Sequence, residues 1–149
     1  MDKKLVEDMI ESAIAQLKFS YAPYSHFNVG ASLLTKNGKI YTGCNIENAA
    51  YTPSNCAERT AFFKAISEGE RVFEAICIVG GKDGVLSEYT SPCGVCRQVM
   101  MEFCFPDTFK VILAVSKEQY KIYTLKEIMP FGFGPANLAY MKEIVKDGT

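Results

Sequence analysis

Residues 73–81, FEAICIVGG, are apolar almost without interruption, and residues 109–116, FKVILAVS, repeat the pattern. A strand with one wet face alternates apolar and polar side chains. Runs like these need cover on both faces, which is the condition of strands in a sheet layered between helices. They are too short to cross a bilayer, which takes about 18 apolar residues. The rest of the chain must therefore supply helices for two layers.

It does. Residues 2–18 set Leu5, Val6, Met9, Ile10, Ala13, Ile14 and Leu17 at helical spacing. Residues 27–35 and 39–44 read as strands joined by KNGK, whose Asn-Gly suits a type I′ turn. A second helix spans about 55–68, with Asn55 and Glu58 at capping-box spacing. A third starts at SPCGVC, with Ser91 as N-cap and Pro92 at the first helical position. LKEIMP is a short helical piece, and residues 135–146 a closing helix. A hairpin followed by helix-linked strands predicts a mixed sheet whose helix-linked strands run parallel. The expectation is one three-layer α/β/α domain over residues 1–149 with no linker.

Charge narrows the partners. Formal net charge is -1, and Lys and Arg are scattered rather than gathered in the basic stripe of a nucleic-acid binder. The N-terminus, MDKKLVEDMIES, lacks a secretory h-region. The expected setting is the cytoplasm, with no membrane and no nucleic-acid partner. In a reducing compartment, six cysteines point to metal or catalysis rather than disulfides.

Cys93 and Cys96 form a CxxC at the start of the third helix, and Cys56 opens the second. The first turn of a helix favours anions, which lowers thiol pKa. Three sulfurs between two helix ends leave one position of a tetrahedral zinc ion open, the mark of a catalytic site. Glu58 lies on the apolar face of Ala61, Phe62 and Ala65, where a carboxylate is costly without a partner. Beside an open metal position it has one, as the group that takes and returns a proton. Residues i and i+2 of a helix do not face each other. Cys56 and Glu58 therefore converge only if Cys56 sits at the cap with its side chain turned over the helix end. Cys44, Cys77 and Cys104 read as small core hydrophobes. His26, the single histidine, reads as a loop hydrogen-bonding residue. Other readings of the same residues are a capping box for Glu58 and a thioredoxin-like redox pair for CGVC.

CAE followed by PCGVC resembles the zinc-dependent nucleoside and nucleobase deaminases. YAPYSHFNVGA, GCNIENAAY, CAERTA and SPCGVCRQV together resemble the homotetrameric, three-cysteine cytidine deaminases, over about residues 19–138. The resemblance implies a mixed five-stranded sheet and hydrolytic deamination of cytidine and 2′-deoxycytidine in pyrimidine salvage. It implies one Zn²⁺ per subunit, on Cys56, Cys93 and Cys96, with Glu58 as proton shuttle. Asn45 and Glu47 then hold the ribose 3′-hydroxyl, Phe27 packs on the base, and the backbone at Ala57 contacts its edge. Arg59 donates to the metal-bound sulfurs, and Arg97 is a weaker candidate for the same task. MPFGF stands where the family has LPxxF. Phe133 is then the aromatic that enters a neighbouring subunit's site, with Phe131 as the alternative. The loop YTPSN departs from the glycine and apolar residues usual there, and Pro53 stiffens it. Other readings are a deaminase of a blasticidin-type aminopyrimidine nucleoside and a non-catalytic zinc-stabilised binding module.

Overall fold

A computed structural model describes residues 1–138. Its elements are α1 (Lys3–Ala15), β1 (Phe27–Thr35), β2 (Ile40–Cys44), α2 (Ala57–Ser67), β3 (Phe73–Lys82), α3 (Gly94–Phe103), β4 (Lys110–Ala114), β5 (Tyr120–Thr124) and α4 (Leu125–Ile128). The expected closing helix falls mostly outside the described residues; only a 3-10 turn at Pro135–Leu138 lies within them.

The five strands form one mixed sheet in the order β2-β1-β3-β4-β5. β1 pairs antiparallel with β2 and β3, and β3 pairs parallel with β4. β2 and β3, linked through α2, thus run parallel with β1 between them. The apolar runs divide between the two faces with the period of a strand. Ala75, Cys77 and Val79 of β3, with Ile112 and Ala114 of β4, meet Val6, Met9, Ile10 and Ala13 of α1. Ile76, Ile78, Val111 and Leu113 point the other way, to Ala61, Phe62 and Ala65 of α2 and Met100 of α3. This is the three-layer arrangement that the doubly apolar strands require. No helix among the described residues is long and apolar enough to cross a membrane.

One local expectation is corrected, and one strand is added. The KNGK turn is not type I′, which needs positive φ at both central residues. Only Gly38 has it, at 91°. Gly38 N donates to Thr35 O and Thr35 N to Lys39 O, at 3.1 and 2.9 Å, a three-residue loop closed by a left-handed glycine. The added fifth strand, YKIYT, is not legible from periodicity. It is an edge strand with no buried residue, so no apolar alternation marks it.

Gly43 sets how closely the site helix approaches the sheet. A Cβ there would lie 2.6 Å from Ala61 N and nearer still to Ala57 O, both in α2. Gly43→Ala is expected to cost about 1–3 kcal/mol by overpacking. The check is the urea midpoint at unchanged slope. A midpoint equal to the wild type's refutes the close contact.

Candidate metal centre and its surroundings

Two helix N-termini face each other beside the sheet. Cys56 is the N-cap of α2, in extended conformation at φ −77° and ψ 156°. Asn55 is not the cap; its amide donates to Thr60 Oγ1 at 3.2 Å. Cys93, not Ser91, caps α3, which leaves Pro92 outside the helix. The correction has a chemical reason, since the Cys93 sulfur accepts the Cys96 N–H at 3.5 Å and does the work expected of a serine oxygen. Cap position also answers the i, i+2 difficulty, because an extended Cys56 carries its side chain off the helix surface.

The three sulfurs lie within 4.8 Å of one another. Cys56 and Cys93 are 3.7 Å apart, and Cys93 and Cys96 are 3.5 Å apart. Tetrahedral zinc with Zn–S bonds of about 2.3 Å separates its sulfurs by about 3.8 Å, so the residues fit that ion. Among the described residues this is the one cluster of three metal-ligating side chains at such spacing. Cys44, Cys77 and Cys104 are buried in the core, as expected of small hydrophobes.

The electrostatics favour an anionic centre. The neighbouring Cys96 thiol and the Arg59 guanidinium together hold the Cys56 thiol down to about 5. Cys96 itself is pushed up, by the Cys56 sulfur beside it and by burial. Arg59 Nη2 donates to Cys56 Sγ at 3.2 Å. Its Nε is buried with no partner among the described residues, a surplus donor beside sulfurs that lose their protons on binding metal. Arg97 does not share the task. Its Nε donates to Pro92 O at 2.8 Å, and its Nη1 to Ile128 O.

Glu58 is 3% exposed in the first turn of α2. Burial raises its carboxyl to about 7, which places its proton exchange near neutrality. Ala57, just before it, is fully buried against the sheet.

Asn45 and Glu47 have structural partners that spacing alone does not reveal. Asn45 donates to Phe27 O at 2.7 Å and accepts from Val29 N at 2.9 Å and from Ser20 Oγ. Glu47 accepts from Tyr24 N at 2.9 Å, Ser25 N at 3.1 Å and Ser25 Oγ. The Ser25 hydroxyl leads in holding its carboxyl below the usual range. Both side chains thus anchor the aromatic segment between the first helix and β1. Phe27, at the head of β1, is 38% exposed and outside the core. A cleft of about 370 Å³ lies beside Glu47, lined by Tyr24, Ser25, Tyr51 and Ser54. The Tyr24 and Tyr51 rings meet edge to face there at 6.0 Å. Sequence pattern does not single out Tyr24, Tyr51 and Ser54; the aromatic richness of the flanking loops is their only signal. Phe131 and Phe133 are both exposed.

Comparison with known proteins gives a concordant picture. Residues 3–112 match the family described as cytidine and deoxycytidylate deaminase zinc-binding region. A cytidine deaminase of Sporosarcina psychrophila is 45% identical over 138 residues, 93% of this chain and 98% of that protein. The crystal structure of a cytidine deaminase from Burkholderia pseudomallei superposes with a TM-score of 0.77 at 43% identity, covering 85% of this chain and 97% of the other. That from Mycobacterium tuberculosis gives 0.71 at 32% identity, covering 85% and 95%. Sulfur spacing suited to zinc, a buried carboxyl poised near neutrality and a match running through both motifs agree, and the chain belongs to the cytidine and deoxycytidylate deaminase family.

Proposed function

We propose that this protein hydrolyses cytidine and 2′-deoxycytidine to uridine and 2′-deoxyuridine with release of ammonia. The observation that carries the reading is Glu58, buried beside three clustered thiols with its carboxyl raised to about 7. Cys56, Cys93 and Cys96 would hold one Zn²⁺ per subunit, which would supply a Lewis acid able to activate water near neutral pH. Glu58 carries one proton from the attacking water to the ring nitrogen N3 as the C4–O bond forms, and then the second, from the hydroxyl now on C4, to the amine as the C4–N bond breaks. Three thiolates leave zinc with a net charge of about −1, and Arg59 withdraws part of it from Cys56. Asn45 and Glu47 grip the ribose 3′-hydroxyl with the lone pairs and N–H that their loop contacts leave over. Phe27 packs on the base and the Ala57 backbone reads its edge. The chain acts as a single domain over residues 1–149, in a cytoplasmic homotetramer that serves pyrimidine salvage. Phe133 of each subunit enters its neighbour's site.

The test is turnover of cytidine, 2′-deoxycytidine, free cytosine and a blasticidin-type nucleoside, followed by ultraviolet absorbance and ammonia release. Both cytidine nucleosides are expected to react, with ammonia in equal amount. Turnover of the antibiotic alone transfers the activity to that substrate. Bound zinc with no turnover of any of the four leaves a binding module.

A further inference from the structure

The turn that carries Phe131 and Phe133 is gripped by α3 at both ends. Arg97 bridges the carbonyls of Pro92 and Ile128 with its fork of donors. Gln98, the next residue, donates Nε2 to Phe133 O at 2.9 Å. One turn on, Met101 lies beneath the same segment. A Cβ added to Gly132 would stand 3.0 Å from Met101 Sδ, and one on Gly134 would stand 3.3 Å from Met101 O. The two glycines therefore let the turn lie flat on the helix. Gly134 is pinned further by Asn137, with N–H bonds of 2.9 Å in both directions.

Between these anchors the backbone adopts a conformation it does not favour. Phe131 has φ 56°, in the left-handed region that bulky L side chains avoid. Its ring is fully exposed, so burial does not offset the strain, and Phe133 is 57% exposed. Strained backbone persists where its surroundings over-determine it. Here those surroundings are the carbonyl grips from Arg97 and Gln98.

We propose that Arg97 and Gln98 are positioning residues. They fix the 129–133 turn on α3 and so set the direction in which its aromatic rings meet the neighbouring subunit's substrate. The inference rests on the reading of Phe133 given above. It assigns α3 two tasks: its N-cap and first turn carry two of the three thiols, and its next turn aims an aromatic segment at another site. Arg97 is required as arginine, because its Nε and Nη1 reach the two carbonyls from separate atoms of a rigid fork, whereas a lysine presents all its donors at one nitrogen on a flexible stem.

The test uses Arg97→Lys and Gln98→Ala, singly and together, in the zinc-loaded full chain. In the double variant, hydrogen exchange of the Met129 and Gly134 amides, which donate to Leu125 O and Asn137 Oδ1, is expected to rise about tenfold, with exchange in α2 unchanged. Zinc content stays at the wild-type level, and KM for cytidine rises about tenfold while kcat changes less than about twofold. Unchanged exchange at Met129 and Gly134, or an unchanged KM, overturns the proposal. So does a fall in zinc content, which returns Arg97 to the metal centre. A wild-type protein that does not turn over cytidine overturns the functional reading instead, and exchange alone then decides whether the grip exists.

Discussion

Glu58→Gln yields a folded protein that keeps its zinc and loses at least ~10²-fold of its cytidine turnover. Gln matches Glu in size, so the face shared with Ala61, Phe62 and Ala65 stays packed. What it lacks is a proton to exchange. The wild-type carboxyl is 3% exposed and raised by burial to about 7, so near neutral pH it accepts and releases a proton with little driving force lost in either direction. A buried carboxyl raised so far is also costly to the fold, which argues that its value lies in chemistry. The measurement is kcat by absorbance, with zinc determined on the same sample. Zinc at full occupancy with undiminished kcat removes Glu58 from the mechanism.

Cys93→Ala loses both zinc and activity. Cys93 is the exposed member of the cluster, so removing its sulfur opens no core cavity. Any change then reports on the metal and on the α3 cap, which loses the acceptor for Cys96 N–H. Loss of an outer-shell partner costs roughly 10–100-fold in metal affinity, and loss of a ligand costs more. Cys77→Ala is the control. Its sulfur lies between the sheet and α1, on the face opposite the cluster, and the variant keeps its zinc. Metal content of both purified variants, with and without prior chelation, is the check. Zinc retained without Cys93, or lost without Cys77, defeats the three-thiol assignment. The second outcome would revive a closed structural site with a fourth cysteine ligand.

Much of this architecture is legible in the chain. The doubly apolar runs at 73–81 and 109–116 demand helices on both sides, and the periodicity of residues 2–18 supplies one of them. β5 is not legible, because an edge strand with no buried residue leaves no apolar pattern. Helix starts are legible only to within two residues. The sequence pattern favours Asn55 and Ser91 as caps, yet a cysteine holds each cap position, because a sulfur that faces a metal centre can sit where an oxygen usually does.

The site divides in the same way. Cys56, Glu58, Cys93 and Cys96 are readable from spacing, because helix geometry ties chemistry to position over a few residues. Asn45, Glu47, Arg97 and Gln98 are different. Each looks like an ordinary polar residue until the fold brings a distant carbonyl or amide to it: Phe27 O, Ser25 N, Ile128 O and Phe133 O respectively. By itself the sequence determined the layer count and singled out the three cysteines that cluster and the carboxylate buried beside them, since each rests on a local period or motif. Only the tertiary structure decided which arginine serves the sulfurs and which grips the aromatic turn. Arg59 and Arg97 each lie three or four residues from a cysteine, and what separates them is whether a thiol or a carbonyl stands opposite once α2, α3 and α4 have packed.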